Sequence, residues 1–222
     1  MRYIQRHSAL KRWIHGIHTV SCMTLLVTGT LMFVPSIAGS ISHGTLQGAR
    51  LLHRIMGVVF IAAPLAGLAV APSGLVHMMK NLFARWDRDD RRFMAMFPKY
   101  LFASKTTHMP KQHEVKSGQR LSDGLLIAAS VLIALTGVVL WGASFFGPTL
   151  VLWGLVLHDV AFVLVAMIMV AHVYLGAGVF QPYRGSWRLM FGNGRVSESD
   201  ALYHWGHWAE EELRDGSNVV EA

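Results

Sequence analysis

Five histidines lie within or at the ends of long apolar stretches: His15, His18, His53, His158 and His172. An ionisable side chain is costly in such a stretch and usually faces a protein interior for a functional reason. Neutral imidazole is also a common ligand of iron and other transition metals. The other seven of the twelve histidines fall in polar segments, where exposure to solvent is the default. The five are therefore the candidates for metal or cofactor chemistry.

Four transmembrane helices are predicted to position these histidines. Only 15% of the residues are charged, against about 25% in an ordinary soluble domain. No charged residue occurs in 13–49, 55–79 or 124–157, and a helix needs about 20 apolar residues to cross a bilayer. The predicted helices cover about 13–34, 52–72, 121–144 and 152–179, in one all-α membrane domain that spans residues 1–222. Residues 73–120 are expected to form a loop and residues 180–222 a tail. Between Gly74 and Phe97 the sequence fits an interfacial amphipathic helix and a solvated charged face equally well.

The basic residues predict how the four helices are oriented. Of the twenty lysines and arginines, eighteen fall before the first helix, between the second and third, or after the fourth. By the positive-inside rule these segments are cytoplasmic, which predicts a multi-pass protein of a bacterial inner membrane with both termini inside. The net charge of +7 is thus a topology signal rather than a sign of nucleic-acid binding.

The predicted topology sorts the histidines into two levels. His53 and His158 lie near the outer ends of the second and fourth helices. His172 follows His158 by fourteen residues, about 21 Å along a helix and within about 40° of the same face. It therefore shares the inner level with His15 or His18, which begin the first helix.

Two imidazoles at each of two levels suit a pair of b-type haems, each with two axial histidines. His15 and His18 share a helix face, so the residues alone leave the choice between them open. Arg12 and Arg54, with Lys11 and Arg50, are candidate partners of haem propionates. Ordinary snorkelling to the membrane surface explains these basic side chains equally well.

The chain resembles the gamma, or cytochrome b, subunit of membrane-bound formate dehydrogenase over nearly its whole length. The similar segments are Arg12-Trp13-Ile14-His15, Gly48-Ala49-Arg50-Leu51-Leu52-His53 with Gly57, Leu157-His158, Ala171-His172-Val173-Tyr174, Gly185-Ser186-Trp187-Arg188-Leu189-Met190 and Gly194-Arg195-Val196-Ser197. The resemblance implies His15 rather than His18 as the inner ligand, so that the haem-iron pairs are His53/His158 outside and His15/His172 inside. Gly16 stands where that family commonly has tryptophan.

The resemblance also implies an electron path and its partners. An iron–sulfur beta subunit, itself reduced by a molybdenum- or tungsten-dependent formate dehydrogenase alpha subunit, would donate electrons at the outer face. A quinone, menaquinone or ubiquinone, would accept them near the cytoplasmic face, and the complex would form a higher oligomer. The implied quinone site comprises Lys116, Ser117, Gly118, Gln119 and Tyr174; Lys116 departs from the asparagine that the family often has there.

Other functions remain as alternatives. The cytochrome b of a nickel–iron hydrogenase or of a thiosulfate-reductase-type complex would share the same ligand layout. A metal transporter would need its histidines at one level, and a haem-free membrane anchor would leave their matched depths unexplained. With one cysteine and no dinucleotide-binding motif, the chain is not expected to hold an iron–sulfur cluster or to oxidise formate by itself.

Overall fold

The computed structural model describes residues 1–181 and 183–221, which are mostly helical. The helices are α1 (Ala9–Phe33), α2 (Pro35–Ser40), α3 (His43–Val70), α4 (Pro72–Leu82), α5 (Arg88–Phe102), α6 (Ser117–Trp141), α7 (Pro148–Gly176), α8 (Arg188–Phe191), α9 (Glu198–His204) and α10 (Gly206–Asp215). The strands are β1 (Arg2–Gln5), β2 (Arg195–Ser197) and β3 (Val219–Glu221).

Four of these helices, α1, α3, α6 and α7, are long and apolar enough to cross a membrane. Their number confirms the prediction from the charge-free stretches. Their bounds differ from the predicted ones mainly at the start of α3, which begins at His43 rather than near residue 52. Residues 43–51 include polar side chains, so hydropathy marks the apolar part of the helix and not its first turns.

The chain divides into two compact units. Unit 1 comprises Met1–Arg12, Ala71–Gly124 and Ala171–Ala222, and unit 2 comprises Trp13–Val70 and Leu125–Val170. The buried core of unit 2 takes one residue from each of the four long helices: Cys22, Phe60, Ala129 and Val165. The single cysteine is thus a packing residue in a helix, as its position in an apolar stretch predicts.

Unit 1 contains a three-stranded antiparallel sheet that the sequence did not predict. Its strand order is β2-β1-β3, with Ile4 of β1 opposite Val196 and Val219. Ile4 is fully buried in a core with Val196, Ala201, Trp205, Trp208 and Ala209. The sheet therefore joins the two ends of the described chain, which agrees with an even number of membrane crossings.

The predicted loop 73–120 contains two helices, α4 and α5, where the sequence fits an amphipathic helix and a solvated charged face equally well. Asp87 and Asp90 form a capping box at the start of α5, with Asp87 accepting from the Asp90 backbone N–H. Asp90 also accepts a hydrogen bond of 2.9 Å from Arg120 of α6, and both side chains are almost completely buried. This buried ion pair connects α5 to the first turn of α6.

Candidate functional site

His53 of α3 and His158 of α7 face each other in unit 2. Their ring centroids lie 6.4 Å apart and their planes are inclined by 65°. Both side chains are partly buried. The pair that the sequence predicted for the outer level is therefore brought together.

The spacing of these two rings fits a bis-histidine iron site. A metal–imidazole bond is about 2.0 Å, and a ring nitrogen lies about 1.1 Å from its ring centroid, so two rings on opposite sides of one metal ion have centroids about 6 Å apart. The observed 6.4 Å matches that value. The residues present thus fit a haem iron held between α3 and α7.

A threonine hydroxyl orients His53. Thr28 Oγ1 of α1 lies 2.8 Å from His53 Nδ1 and donates its hydrogen to the Thr24 carbonyl at 2.8 Å. Since a hydroxyl has one hydrogen and a carbonyl can only accept, the hydroxyl accepts from His53 Nδ1–H. That tautomer leaves the Nε2 lone pair for a metal ion.

His158 has the same arrangement with a residue of α6. Thr136 Oγ1 lies 3.0 Å from His158 Nδ1 and donates to the Leu132 carbonyl at 2.8 Å. The two histidines are therefore held in the same tautomer by two different helices. Neither threonine was predicted from the sequence, although each stands before a glycine, in Thr28-Gly29 and Thr136-Gly137.

These two glycines let the helices approach the two imidazole rings. A Cβ on Gly29 would lie 3.0 Å from Phe162 and 3.6 Å from His53. A Cβ on Gly137 would lie 3.4 Å from His158 Cε1. A larger side chain at either position would push against an imidazole or against the ring packed beside it.

The other three histidines lie at different places in the two units. In unit 2, His15 Nδ1 lies 3.4 Å from Thr19 Oγ1 one turn along α1, and the His18 ring stacks on Phe60 at 4.2 Å. His172 belongs to unit 1 and lies on α7, the continuous helix that also carries His158. The pairing of His15 with His172 and the choice of His15 over His18 stay predictions.

The model of one protein family, described as prokaryotic cytochrome b561, matches residues 6–193. The chain belongs to the prokaryotic cytochrome b561 family. None of the curated proteins matches the chain.

Membership of the cytochrome b561 family establishes the coarse function. The chain is a multi-pass protein of the bacterial inner membrane that binds b-type haem and transfers electrons. This confirms the predicted b-type haem and agrees with the four membrane-spanning helices. It does not distinguish a formate dehydrogenase subunit from a hydrogenase subunit.

The two arginines predicted as propionate partners have different surroundings in this cytochrome b561 family member. Arg12 donates to the Gly192 carbonyl in unit 1, and its buried Nε has no hydrogen-bond partner among the described residues. Arg54 is exposed, on α3 next to His53. A role of either one toward a propionate stays a prediction.

The first two residues of the predicted quinone site are buried and hydrogen-bonded within unit 1. Lys116 is 7% exposed, and its Nζ donates to Tyr183 Oη at 2.9 Å. Burial, and next the charge of Arg6, lower the pKa of Lys116 well below its ordinary 10.5, while burial raises the pKa of Tyr183 to about 12. Ser117 donates from its backbone N–H and its hydroxyl to Gln112 Oε1, at 3.0 and 2.8 Å.

The remaining residues of that predicted site are more open. Gly118 lies against Phe93 and Met94 of α5. Gln119 is exposed and donates to Asp123 at 3.3 Å, one turn further along α6. Tyr174 of α7 is 47% exposed, with its ring 5.7 Å from that of Phe180. Gln119 and Tyr174 are therefore the members of the set that have side chains accessible to a ligand.

Proposed function

We propose that this cytochrome b561 family member is the di-haem cytochrome b subunit of a membrane-bound formate dehydrogenase. The observation that carries the proposal is the His53/His158 pair, whose 6.4 Å ring separation fits one haem iron. The sequence motifs around His15, His53, His158 and His172 supply the resemblance to the formate dehydrogenase gamma subunit. The family match to residues 6–193 supports haem b electron transfer in general.

Four histidines hold two haems in this proposal, His53 and His158 the outer one, His15 and His172 the inner one. A b-type haem supplies an iron that accepts and releases one electron at a time. The protein's part is to fix the ligand rings. Thr28 and Thr136 keep Nδ1 of the outer ligands protonated, and α7 spaces His158 and His172 about 21 Å apart along one helix.

The direction of electron transfer follows from the proposed orientation. With the basic segments and both termini in the cytoplasm, electrons enter from an iron–sulfur beta subunit at the outer haem, and formate is oxidised on a molybdenum- or tungsten-dependent alpha subunit. The quinone, menaquinone or ubiquinone, is reduced near the cytoplasmic face and takes up two protons there.

Gln119 and Tyr174 are the residues proposed to contact the quinone, because their side chains are accessible. Lys116 and Ser117 already have hydrogen-bond partners in unit 1, so they are proposed to fix the start of α6. An amide and a phenol can both hydrogen-bond to a quinone carbonyl oxygen.

A reduced-minus-oxidised visible spectrum of the purified protein, with ligand variants, tests the haem assignment. Two low-spin b haems per chain are expected. His53→Ala and His158→Ala should each remove the same haem, His15→Ala and His172→Ala the other, and His18→Ala neither. A preparation without haem would contradict the proposal, and loss of a haem in His18→Ala but not in His15→Ala would reverse the ligand choice.

The donor complex is tested with membranes that contain the whole complex. Formate, but not hydrogen, should reduce the haems, because the proposed alpha subunit oxidises formate. Membranes of His53→Ala serve as the control, since electrons should then fail to reach the inner haem. Reduction by hydrogen alone would favour the hydrogenase alternative. Oxidation of previously reduced haems by added thiosulfate would favour the thiosulfate-reductase-type complex.

A further inference from the structure

Two histidines and two aspartates meet on the surface of unit 1, outside the four long helices. His113 Nε2 lies 2.9 Å from Asp87 Oδ2, and His207 Nε2 lies 2.9 Å from Asp89 Oδ2. The two imidazole rings stack with centroids 4.9 Å apart and planes inclined by 27°. One ligand atom each of Asp87, His113 and His207 lies within 4.8 Å of the others. Neither the haem site nor the proposed quinone site includes any of these residues.

The cluster is assembled from three segments that are already fixed. The capping box of α5 holds Asp87. Gln112, which is 2% exposed, hydrogen-bonds to Ser117 and so fixes the chain beside His113. The backbone N–H of His207 donates to the Gln112 carbonyl at 3.0 Å. These contacts hold the side chains near one another before any ligand binds.

Charge favours a cation between these groups. The Asp87 carboxylate supplies an oxygen ligand and negative charge, and the imidazoles of His113 and His207 supply two nitrogen ligands. His113 Nε2 and the Asp87 carboxylate already lie side by side, so one metal ion could contact a nitrogen and an oxygen together.

We propose that Asp87, His113 and His207 bind a divalent transition-metal ion, with Zn²⁺ as the best match to imidazole and carboxylate ligands. Ligand atoms of a tetrahedral site with bonds of about 2.0 Å lie about 3.3 Å apart. The ligand atoms of the three side chains lie within 4.8 Å of one another, so binding requires them to move closer together. A water molecule takes the fourth position, as in an open three-ligand zinc site. The bound ion connects the start of α5, the segment before α6 and the start of α10.

Zinc titration of the haem-loaded full chain tests the site. The protein is purified without a polyhistidine tag, stripped with a chelator and titrated with Zn²⁺ in a calorimeter. The wild-type protein should bind one Zn²⁺ that the His113→Ala/His207→Ala variant does not bind. Each single histidine variant, and Asp87→Asn, should weaken binding about 10-fold or more.

Matched controls separate loss of the site from general damage. His43→Ala/His108→Ala removes two exposed histidines outside the cluster and should keep the tight site. Equal haem content of all variants reports that the membrane part is folded. Equal binding by the wild-type protein and the His113→Ala/His207→Ala variant would overturn the proposal.

X-ray absorption at the zinc edge gives a second readout that needs no variant. Wild-type protein with one equivalent of Zn²⁺ should show two imidazole ligands at about 2.0 Å and oxygen ligands in the remaining positions. A spectrum without imidazole scattering would contradict the assignment even if some Zn²⁺ binds elsewhere.

Discussion

At the scale of single residues, two threonines contact the histidines that we propose as ligands of the outer haem. Thr28 and Thr136 each accept a hydrogen bond from an Nδ1–H, and in the proposed site this makes the imidazole a stronger electron donor to iron. A stronger donor stabilises the ferric state and so lowers the reduction potential. The proposal therefore predicts that the two hydroxyls set the potential of the haem as well as the tautomer of its ligands.

Thr28→Val and Thr136→Val should each raise the midpoint potential of the outer haem. Loss of one neutral hydrogen bond, about 0.5–1.5 kcal/mol, corresponds to a shift of about 20–60 mV for a one-electron couple. Potentiometric titration followed in the visible spectrum measures the shift. The second haem should not change.

Two controls accompany these threonine variants. Thr28→Ser and Thr136→Ser keep the hydroxyl and should keep the potential. Thr30→Val removes a hydroxyl of α1 that donates to the Leu26 carbonyl, and it should have no effect. A shift of equal size in the serine variants would show that packing rather than the hydrogen bond sets the potential.

The histidines could be selected from the sequence, but the threonines could not. Imidazoles in an apolar stretch are conspicuous because their burial is costly. Thr28 lies 25 positions before His53, and Thr136 lies 22 before His158, so each contact depends on how two helices are rotated against each other. Hydropathy predicts that a helix is present, but it does not predict how that helix is rotated about its axis.

At the scale of elements, the connection between α5 and α6 depends on a buried ion pair. Arg120 donates to Asp90 at 2.9 Å, and it also donates to the Ala84 carbonyl. In the sequence, Arg120 is only one of the eighteen basic residues that predict the cytoplasmic side of the membrane. Its burial could not be predicted, because its partner lies 30 residues earlier, in a charged segment whose packing against α6 the sequence does not indicate.

Arg120→Met should destabilise unit 1 by about 3–5 kcal/mol, because it leaves the Asp90 carboxylate buried without its counter-charge. Urea unfolding in detergent, followed by tryptophan fluorescence, measures the loss. Arg92→Met, which removes an exposed charge of α5, is the matched control and should change stability by no more than about 0.5 kcal/mol.

A double variant separates the charge from the packing. Asp90→Leu/Arg120→Met removes both charges and should recover part of the stability lost in Arg120→Met, less the loss of the α5 cap. The single variant Asp90→Leu is measured as well. If the double variant loses as much stability as Asp90→Leu and Arg120→Met do together, the two side chains do not act as a pair.

At the scale of the whole molecule, the spans were predictable and the sheet was not. The four long helices follow from apolar stretches of about 20 residues, a signal that each segment carries alone. The strands are only three or four residues long and pair segments from opposite ends of the sequence. Nothing in Arg2–Gln5 by itself indicates its partners.

Ile4→Ala should weaken this part of unit 1 by about 2–5 kcal/mol, because Ile4 is fully buried in the core with Trp205 and Trp208. Faster trypsin cleavage after α8, at unchanged haem content, would report the loss. Leu10→Ala, at a 41% exposed position, is the control and should cleave at the wild-type rate. Unchanged cleavage in Ile4→Ala would mean that the sheet adds little to stability.

The strand order β2-β1-β3 has a consequence for biosynthesis. The central strand leaves the ribosome first, whereas both of its neighbours are translated only after every membrane-spanning helix. Until then both edges of β1 carry unpaired backbone N–H and C=O groups, which chaperones or proteases can recognise. A nascent chain that stalls before β2 never covers them, so closure of this small sheet shows that all four long helices have already been translated.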